Sequence, residues 1–215
     1  AVSASVAKNN VISVLTNELP NTQRNVLYFD TEQGKYHVQK ALKRICTITG
    51  VSEPTNLNTY GLRALNPIER AELIEFAIYN TPNLGIVFID GIKDLITSIN
   101  DEEQATMIVS KLMKWSEEKN ILIVTVLHQN KGDNNARGHI GTELNNKAET
   151  VLSVSKSTEN EMVSIVQAEM CRNLEPESFA FEIDQNGIPY ISDYNIDNKP
   201  TKKLSKKELY ELYKY

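Results

Sequence analysis

The chain has 215 residues, of which 40% are hydrophobic and 24% charged, and this ordinary globular composition predicts one large domain. Its formal net charge of −5 excludes a uniformly basic coat for nucleic acid, so any contact with DNA is expected from local loops. The two cysteines, Cys46 and Cys171, lack metal-ligand spacing, which argues against zinc and fits free thiols in a reducing cytoplasm.

The first predicted elements are a helix, a buried strand and a second helix. Apolar residues recur near helical spacing over Ala1–Asn17, and Pro20 closes that segment. The strand at Asn25–Asp30 is apolar throughout its centre and ends in an acid. A helical face then predicts a crossover helix over Lys35–Thr49, which Gly50 ends.

The most informative stretch is Gly85–Asp90, an apolar run that ends abruptly in one acid. It follows a predicted short edge strand at Asn56–Tyr60 and a helix over Asn66–Asn80 whose start matches the capping-box pattern. An uninterrupted apolar run is typical of a parallel-sheet strand that is buried on both faces. Because ligands of open α/β sheets bind outside the carboxyl ends of the strands, Asp90 is placed to hold Mg²⁺ for a bound nucleotide. The alternative is that Asp90 only caps the next turn.

An amphipathic helix and a further buried strand follow this central strand. The helix is predicted over Asp101–Asn120, and its Trp115 is expected to pack in the core. The strand is predicted at Ile121–Leu127, and polar residues come directly after it. The polar, glycine-containing segment Gln129–Gly141 is predicted to be a mobile loop, and loops of that length in compact domains are usually functional or disordered.

The last third of the chain has the pattern of antiparallel strands. These strands are predicted at Thr150–Ser155, Met162–Met170, Phe179–Ile183 and Ile188–Ile191, with a hairpin turn at Asn186-Gly187. The order of elements predicts an α/β fold: a mostly parallel twisted sheet flanked by helices, with antiparallel strands added at its C-terminal edge. We expect a core over residues 1–192 and a lysine-rich linker with a short helix over 193–215; the net acidity of the chain favours a solvated helix, and the alternative is that this tail binds DNA. No apolar run approaches the roughly 20 residues of a membrane helix and no signal peptide is visible, so a cytoplasmic protein without a membrane partner is expected.

Four short segments are the basis of a family resemblance. They read Tyr28-Phe29-Asp30-Thr31-Glu32, Ile86-Val87-Phe88-Ile89-Asp90, Val126-Leu127-His128-Gln129-Asn130-Lys131 and Arg137-Gly138. In their order and spacing, residues 1–191 resemble the RecA-like P-loop ATPases, and among these the hexameric replicative helicases of the DnaB and plasmid RepA kind, including relatives on mobilisable elements. The resemblance implies a RecA-like core that uses ATP and Mg²⁺. It also implies single-stranded DNA as a partner and a homo-oligomer such as a hexamer.

The resemblance assigns roles to residues at the predicted strand ends. Glu32 matches the catalytic glutamate that orients the attacking water, and the alternative is that Asp30 and Glu32 form a solvated acidic turn that caps the next helix. Asp90 matches the acid that holds Mg²⁺ beside the nucleotide. Gln129 or His128 matches the polar sensor of the γ-phosphate, although a lone histidine after a strand is more often simply hydrogen-bonded.

Two further roles concern a neighbouring subunit and DNA. Arg172 falls at the position of an arginine finger that reaches the nucleotide of a neighbouring subunit, but Met170 stands where the family has a lysine, and a surface salt bridge is the alternative. The loop Asn130–Gly141 matches a DNA-contacting loop, with Lys131 and Arg137 as phosphate partners. The alternative for Arg137 is a place in the ATP site or in an ion pair.

The phosphate loop of the family is missing from these 215 residues. No segment reads G-x-x-x-x-G-K-[ST], since Gly34-Lys35 is followed by Tyr36 and lacks the upstream glycine. In the family that loop precedes a helix that starts like Ala1–Ala7, so we expect this chain to begin just after it and to show no ATP turnover by itself. The leading hypothesis is the core of an ATP-dependent DNA motor, a helicase of plasmid or mobile-element replication or mobilisation. The alternatives are a non-hydrolysing RecA-like scaffold or DNA-binding assembly module, and a RecA-like ATPase of recombination or regulation.

Overall fold

The computed structural model describes residues 1–7, 15–129 and 138–196. The chain divides into two compact units, residues 1–149 and 150–215, and each unit has its own four-stranded sheet. The predicted boundary between a core of residues 1–192 and a tail of residues 193–215 stays a prediction.

The first unit is built on a parallel sheet. Its strands are β1 (Asn25–Asp30), β2 (Leu57–Gly61), β3 (Leu84–Asp90) and β4 (Leu122–Val126), in the spatial order β2-β1-β3-β4. The continuous apolar runs of β1 and β3 fit their place inside the sheet, where both faces are covered. The register places Asp30 opposite Asp90, so the two strands bring their terminal acids to the same edge.

Helices cover both faces of this sheet. They are α1 (Val2–Val6), α2 (Lys35–Thr49), α3 (Pro67–Asn80), α4 (Glu102–Lys119) and α5 (Gly138–Lys147), with a short 3-10 helix at Ile92–Leu95. The start of α3 was predicted correctly, because the Asn66 side chain accepts hydrogen bonds from the Ile68 and Glu69 backbone N–H groups, and the Glu69 carboxylate accepts one from the Asn66 N–H. Gly50 ends α2 with a φ of 68°, in the left-handed region that glycine tolerates.

The core has two layers because successive side chains of a strand point to opposite faces. One layer contains Phe29 of β1 and Ile89 of β3, packed with residues of α3 and α4 that include the fully buried Trp115. The other layer contains Val26 of β1 and Phe88 of β3, packed with Val6 of α1 and Ile45 of α2, among others. Trp115 is therefore a packing residue, as predicted.

The predicted N-terminal helix over Ala1–Asn17 is wrong in its extent. Only Val2–Val6 is helical, Ala7 has an extended backbone, and residues 15–20 contain no helix; residues 8–14 lie outside the described part. The Asn17 side-chain amide donates hydrogen bonds to the carbonyls of Ala4, Ser5 and Ala7 at 3.0–3.1 Å. Because this amide satisfies carbonyls at the C-terminal end of α1, the helix ends there although the apolar spacing continues.

The predicted mobile loop over Gln129–Gly141 is also wrong at its end, because α5 begins at Gly138. Ile140 is fully buried, and the His139 N–H donates to the Ile99 carbonyl at 2.8 Å, which fixes the first turn of the helix. Gly138 has a φ of 71°, and a Cβ there would lie 2.5 Å from the Ile99 carbonyl oxygen. The polar composition hid this helix since only a few of its residues pack inward. Residues 130–137 lie outside the described part.

The strand predicted at Ile121–Leu127 was expected to be buried, and this expectation is wrong. The strand β4 spans Leu122–Val126, and Leu122 and Val126 are 56% and 44% exposed. Because β4 is the last strand in the order, it pairs on one side only among the described strands. An apolar run shows that a segment favours a strand, but it does not show whether that strand lies at the centre or the edge.

The second unit contains an antiparallel sheet of strands paired in chain order. They are β5 (Thr150–Lys156), β6 (Ser164–Cys171), β7 (Phe179–Ile183) and β8 (Pro189–Ile191). The turn before β8 lies where predicted, since Asp184 accepts hydrogen bonds from the Asn186 and Ile188 N–H groups, both at 2.8 Å, and Gly187 has a φ of 80°. The predicted combination of a parallel sheet under helices and later antiparallel strands is confirmed. None of the helices described is long and apolar enough to cross a membrane.

Candidate functional site

Acidic side chains meet where β1 and β3 end. Asp30 is 1% exposed, and its Oδ1 accepts hydrogen bonds from the N–H groups of Glu32 at 3.1 Å and Gln33 at 2.7 Å. These bonds fold the chain after β1 into a tight turn of the Asx type. The other carboxylate oxygen, Oδ2, is buried and has no hydrogen-bond partner. Asp30 thus shapes the turn that presents Glu32.

Thr31 joins this turn to the end of β3. It is 1% exposed, and its backbone N–H donates to the Asp90 carbonyl at 3.1 Å. Its hydroxyl lies 2.9 Å from the carbonyl oxygens of Asp90 and Gly91 and 3.0 Å from the Asp94 carboxylate. Thr31 has no predicted role, and its position between Asp30 and Glu32 is the only signal for one in the sequence. The structure shows that Thr31 holds the two strand ends together.

Asp90 lies in a half-buried environment beside other acids. The Tyr28 hydroxyl donates a hydrogen bond to the Asp90 carboxylate at 3.1 Å. Burial raises the pKa of Asp90, and the negative charges of Asp30 and Glu32 raise it further, while the bond from Tyr28 lowers it. Burial, followed by the charges of Asp90 and Asp30, also raises the pKa of Tyr28. The carboxylates at this edge therefore repel one another, and a cation would relieve that repulsion.

Glu32 is held by two basic side chains. The Lys93 ammonium lies 2.9 Å from one carboxylate oxygen of Glu32, and His128 Nε2 lies 3.5 Å from the other. The hydrogen bond from Lys93 is the main cause that lowers the pKa of Glu32, and partial burial opposes it. Lys93 was missed by sequence analysis, because its pairing with Glu32 depends on the turn after β3. His128 is 67% exposed on its side chain, so it contacts Glu32 from the solvent side.

Gly91 allows this packing. Its φ is 96°, and a Cβ there would lie 2.2 Å from the Thr31 hydroxyl oxygen and 2.7 Å from Glu32 Cγ. Both the backbone conformation and the close approach require glycine at this position. The absence of a side chain at Gly91 therefore leaves room for the Thr31 hydroxyl and the Glu32 side chain.

The other predicted site residues are Gln129, Arg172, Lys131 and Arg137. Gln129 follows β4 at the end of a described segment, and Arg172 follows β6 in the second unit. Lys131 and Arg137 lie outside the described residues. The structure thus brings together Glu32, Asp90 and His128, and the roles assigned to all seven residues stay predictions.

The acidic edge fits Mg²⁺ bound together with a nucleotide better than a metal held by protein alone. Across residues 1–7, 15–129 and 138–196, no group of three or more His, Cys, Asp or Glu side chains is arranged to hold a metal. Mg²⁺ commonly takes one or two carboxylates, with phosphates and water as its other ligands. The buried Oδ2 of Asp30 has no hydrogen-bond partner, and the pKa of Asp90 is raised. Both observations indicate that a bound cation would stabilise the ionised carboxylates at this edge. Asp90 is the candidate ligand, with Asp30 behind it.

Replacing Lys93 by methionine is expected to raise the pKa of Glu32 towards its ordinary value, because the main cause that lowers it is removed. A lowered pKa in the folded state stabilises the protein above the unfolded pKa, and this contribution is lost as the pH falls through the folded pKa. For this partly exposed pair, it amounts to less than about 1 kcal/mol. The measurement is an NMR titration of the Glu32 side-chain carboxyl carbon. Lys114→Met, beside Glu118, is the control, and an unchanged Glu32 titration in Lys93→Met would contradict the assignment.

A comparison with protein-family models assigns the chain to a family. The family model of the AAA domain matches residues 1–134, more than half of the chain. The chain belongs to the AAA domain family. The matched part of this AAA-domain chain contains β1–β4 and the edge with Glu32 and Asp90, and the second unit lies outside it.

The fold of the AAA-domain chain is also found in a solved structure. The ATPase domain of another protein superposes with a TM-score of 0.53 at 14% sequence identity, over 77% of this chain and 74% of that chain. This likeness confirms the predicted RecA-like α/β fold. No functionally curated protein matches the chain in sequence.

Proposed function

We propose that this chain is the core of an ATP-dependent DNA motor of the helicase type, which serves plasmid or mobile-element replication or mobilisation. The observation that carries the proposal is the edge where Asp90, at the end of β3, lies near Glu32, in the turn after the adjacent parallel strand β1; Asp30 and Thr31 anchor that turn. The AAA-domain family and the likeness to an ATPase domain support it. The site lies where open α/β sheets bind their ligands.

Each side chain at this edge has a task in the proposed reaction. Asp90 holds Mg²⁺, which neutralises charge on the transferred phosphoryl group when it is bound. Glu32 stays ionised beside Lys93 and orients the attacking water. His128 or Gln129 contacts the terminal phosphate from the end of β4. Because phosphoryl transfer needs mainly positioning and charge compensation, these few groups account for the chemistry that the chain itself supplies.

Mg²⁺-dependent nucleotide binding tests the proposal. Asp90→Asn is expected to weaken the binding of a fluorescent ATP analogue by about tenfold or more when Mg²⁺ is present, with little change when it is absent. Asparagine keeps the shape and can still accept the hydrogen bond from Tyr28, so the fold is expected to persist. The measurement is a titration, at several Mg²⁺ concentrations, of the protein extended upstream through a phosphate loop. Asp193→Asn, at an exposed position, is the control. Equal Mg²⁺ dependence in both variants would remove Asp90 from the site.

We also propose that Arg172 acts on the nucleotide of a neighbouring subunit in a homo-oligomer. If so, with both chains extended upstream through a phosphate loop, an equal mixture of Arg172→Ala and Glu32→Gln chains restores roughly a quarter of the wild-type ATPase rate, because random assembly combines an intact glutamate with an intact finger at that share of interfaces. Each variant alone stays inactive. The rate is measured after mixing, with assembly checked by light scattering. A mixture that assembles but stays inactive would refute the role in trans.

The proposed DNA partner is single-stranded, with Lys131 and Arg137 as contacts to its phosphates. Their roles rest on the resemblance alone. Nucleotide binding without turnover in the protein extended upstream through a phosphate loop would instead favour the non-hydrolysing scaffold.

A further inference from the structure

The helix α2 is basic in an acidic protein. The whole chain has 28 acidic against 23 basic residues, yet the segment Gln33–Ser52 contains no Asp or Glu. Within this segment α2 carries Lys35, His37, Lys40, Lys43 and Arg44. A basic stretch of this kind on a chain of net charge −5 is a local feature that overall composition conceals.

The helical period places the basic residues on one side of α2. Val38 and Ile45 are buried against the first unit, whereas Tyr36, Lys40 and Lys43 are exposed. Residues three, four and seven positions apart lie on one face of a helix, so these three side chains are neighbours. The flanking positions are Lys35 and Arg44. The α2 basic face is defined here as Lys35, Tyr36, Lys40, Lys43 and Arg44.

These cations lack acidic partners in the described part of the chain. The ion pairs found there involve Lys93, Lys111, Lys114 and His128, and none involves the α2 basic face. The Arg44 Nε is buried without a hydrogen-bond partner. By contrast, Lys111 and Lys114 of α4 pair with Glu75 and Glu118. Like charges three or four positions apart destabilise an isolated helix, so the α2 basic face carries an electrostatic penalty that a polyanion would relieve.

An exposed aromatic ring gives the α2 basic face a second kind of contact besides its positive charges. Tyr36 is 71% exposed and lies in the first turn of α2, and the Tyr36 and His37 rings are nearly perpendicular with their centroids 5.2 Å apart. Basic side chains that follow a phosphate backbone, together with an aromatic ring on which a base stacks, are how proteins bind single strands without sequence preference. In a duplex the bases are already stacked and cannot reach such a ring. The chemistry therefore favours a single strand over a duplex or an acidic protein.

We propose that the α2 basic face binds single-stranded nucleic acid, with Lys40, Lys43 and Arg44 on phosphates and Tyr36 stacked on a base. This inference rests on the proposed function and deepens it, because it gives the nucleic acid contacts in addition to Lys131 and Arg137. The face begins three residues after Glu32, at the start of α2. A strand bound there lies beside the proposed catalytic turn.

The test compares the salt dependence of binding of a fluorescein-labelled oligothymidylate by fluorescence anisotropy. The slope of log affinity against log salt is negative, and each engaged cation contributes about 0.7 to its magnitude on a single strand. Lys40→Ala/Lys43→Ala is therefore expected to make the slope shallower by about 1.4. Tyr36→Ala is expected to weaken binding by about fivefold or more without changing the slope. Alanine is a good helix former, so circular dichroism should show α2 intact.

The control Lys114→Ala/Lys156→Ala makes the same change in net charge at exposed positions elsewhere, and its slope should not change. An unchanged slope in the Lys40/Lys43 variant, with wild-type binding present, would overturn this inference and leave the proposed function standing. No binding by the wild type would overturn both. Binding to phosphatidylserine vesicles is measured for the same proteins. If Lys40→Ala/Lys43→Ala loses vesicle binding while it keeps wild-type oligonucleotide binding, the α2 basic face is a membrane-facing surface and the inference is overturned.

Discussion

Replacing Glu32 by glutamine, in the protein extended upstream through a phosphate loop, is expected to lower the rate of ATP hydrolysis by about 100-fold or more, with nucleotide affinity nearly unchanged. Glutamine has the size of glutamate but cannot act as an ionised acceptor for the attacking water. The ion pair with Lys93 keeps Glu32 charged, and the Asp30 turn fixes its backbone, so the side chain is positioned for this task. Because Glu32 is partly exposed and Asp30 shapes the turn, the variant is expected to fold normally.

The measurement is steady-state turnover together with nucleotide affinity for each variant. Glu103→Gln is the control, since it makes the same change at an exposed position in the first turn of α4. A loss of rate with unchanged affinity identifies an interaction made in the transition state. Normal hydrolysis by Glu32→Gln would show that Asp30 and Glu32 are only an acidic turn before α2, the alternative that the sequence left open.

Replacing Gly91 by alanine is expected to destabilise the protein by about 2–4 kcal/mol, through backbone strain and a steric clash together. The φ of 96° is strained for any residue with a Cβ, and the new methyl group would lie 2.2 Å from the Thr31 hydroxyl oxygen and 2.7 Å from Glu32 Cγ. Relief of that clash requires movement of the turn after β1. The variant should therefore lose ATPase activity at temperatures where it is still folded.

The control is Gly50→Ala, at the end of α2. Gly50 also has a positive φ, of 68°, but no atom lies within 4 Å of a Cβ built there, so only backbone strain of about 1 kcal/mol is expected. Chemical denaturation of both variants gives the two free energies of unfolding. Equal losses at the two glycines would mean that the packing of Thr31 and Glu32 against Gly91 contributes nothing.

Local patterns were sufficient for much of the architecture. The bounds of β1, α2 and α3 were predicted to within one residue. The patterns that predict them are an apolar run, a helical face ended by glycine and a capping box, and each depends only on residues close together in the sequence. The same local reasoning failed for the segment 1–17, for the start of α5 and for the burial of β4. In each case a distant contact decided the outcome: the Asn17 amide on α1, the Ile99 carbonyl under Gly138, and the place of β4 in the sheet.

For the candidate site, the sequence by itself determined that β1 and β3 are apolar strands that end in Asp30 and Asp90, since this follows from residue order alone. Only the tertiary structure decided what surrounds these acids. Sixty residues separate them, and their pairing depends on the parallel register of β1 with β3. The same register places Thr31 on the Asp90 and Gly91 carbonyls and brings Lys93 to Glu32. Such contacts depend on distance in space, which no pattern of neighbouring residues records, and they lower the pKa of Glu32 and fix its position.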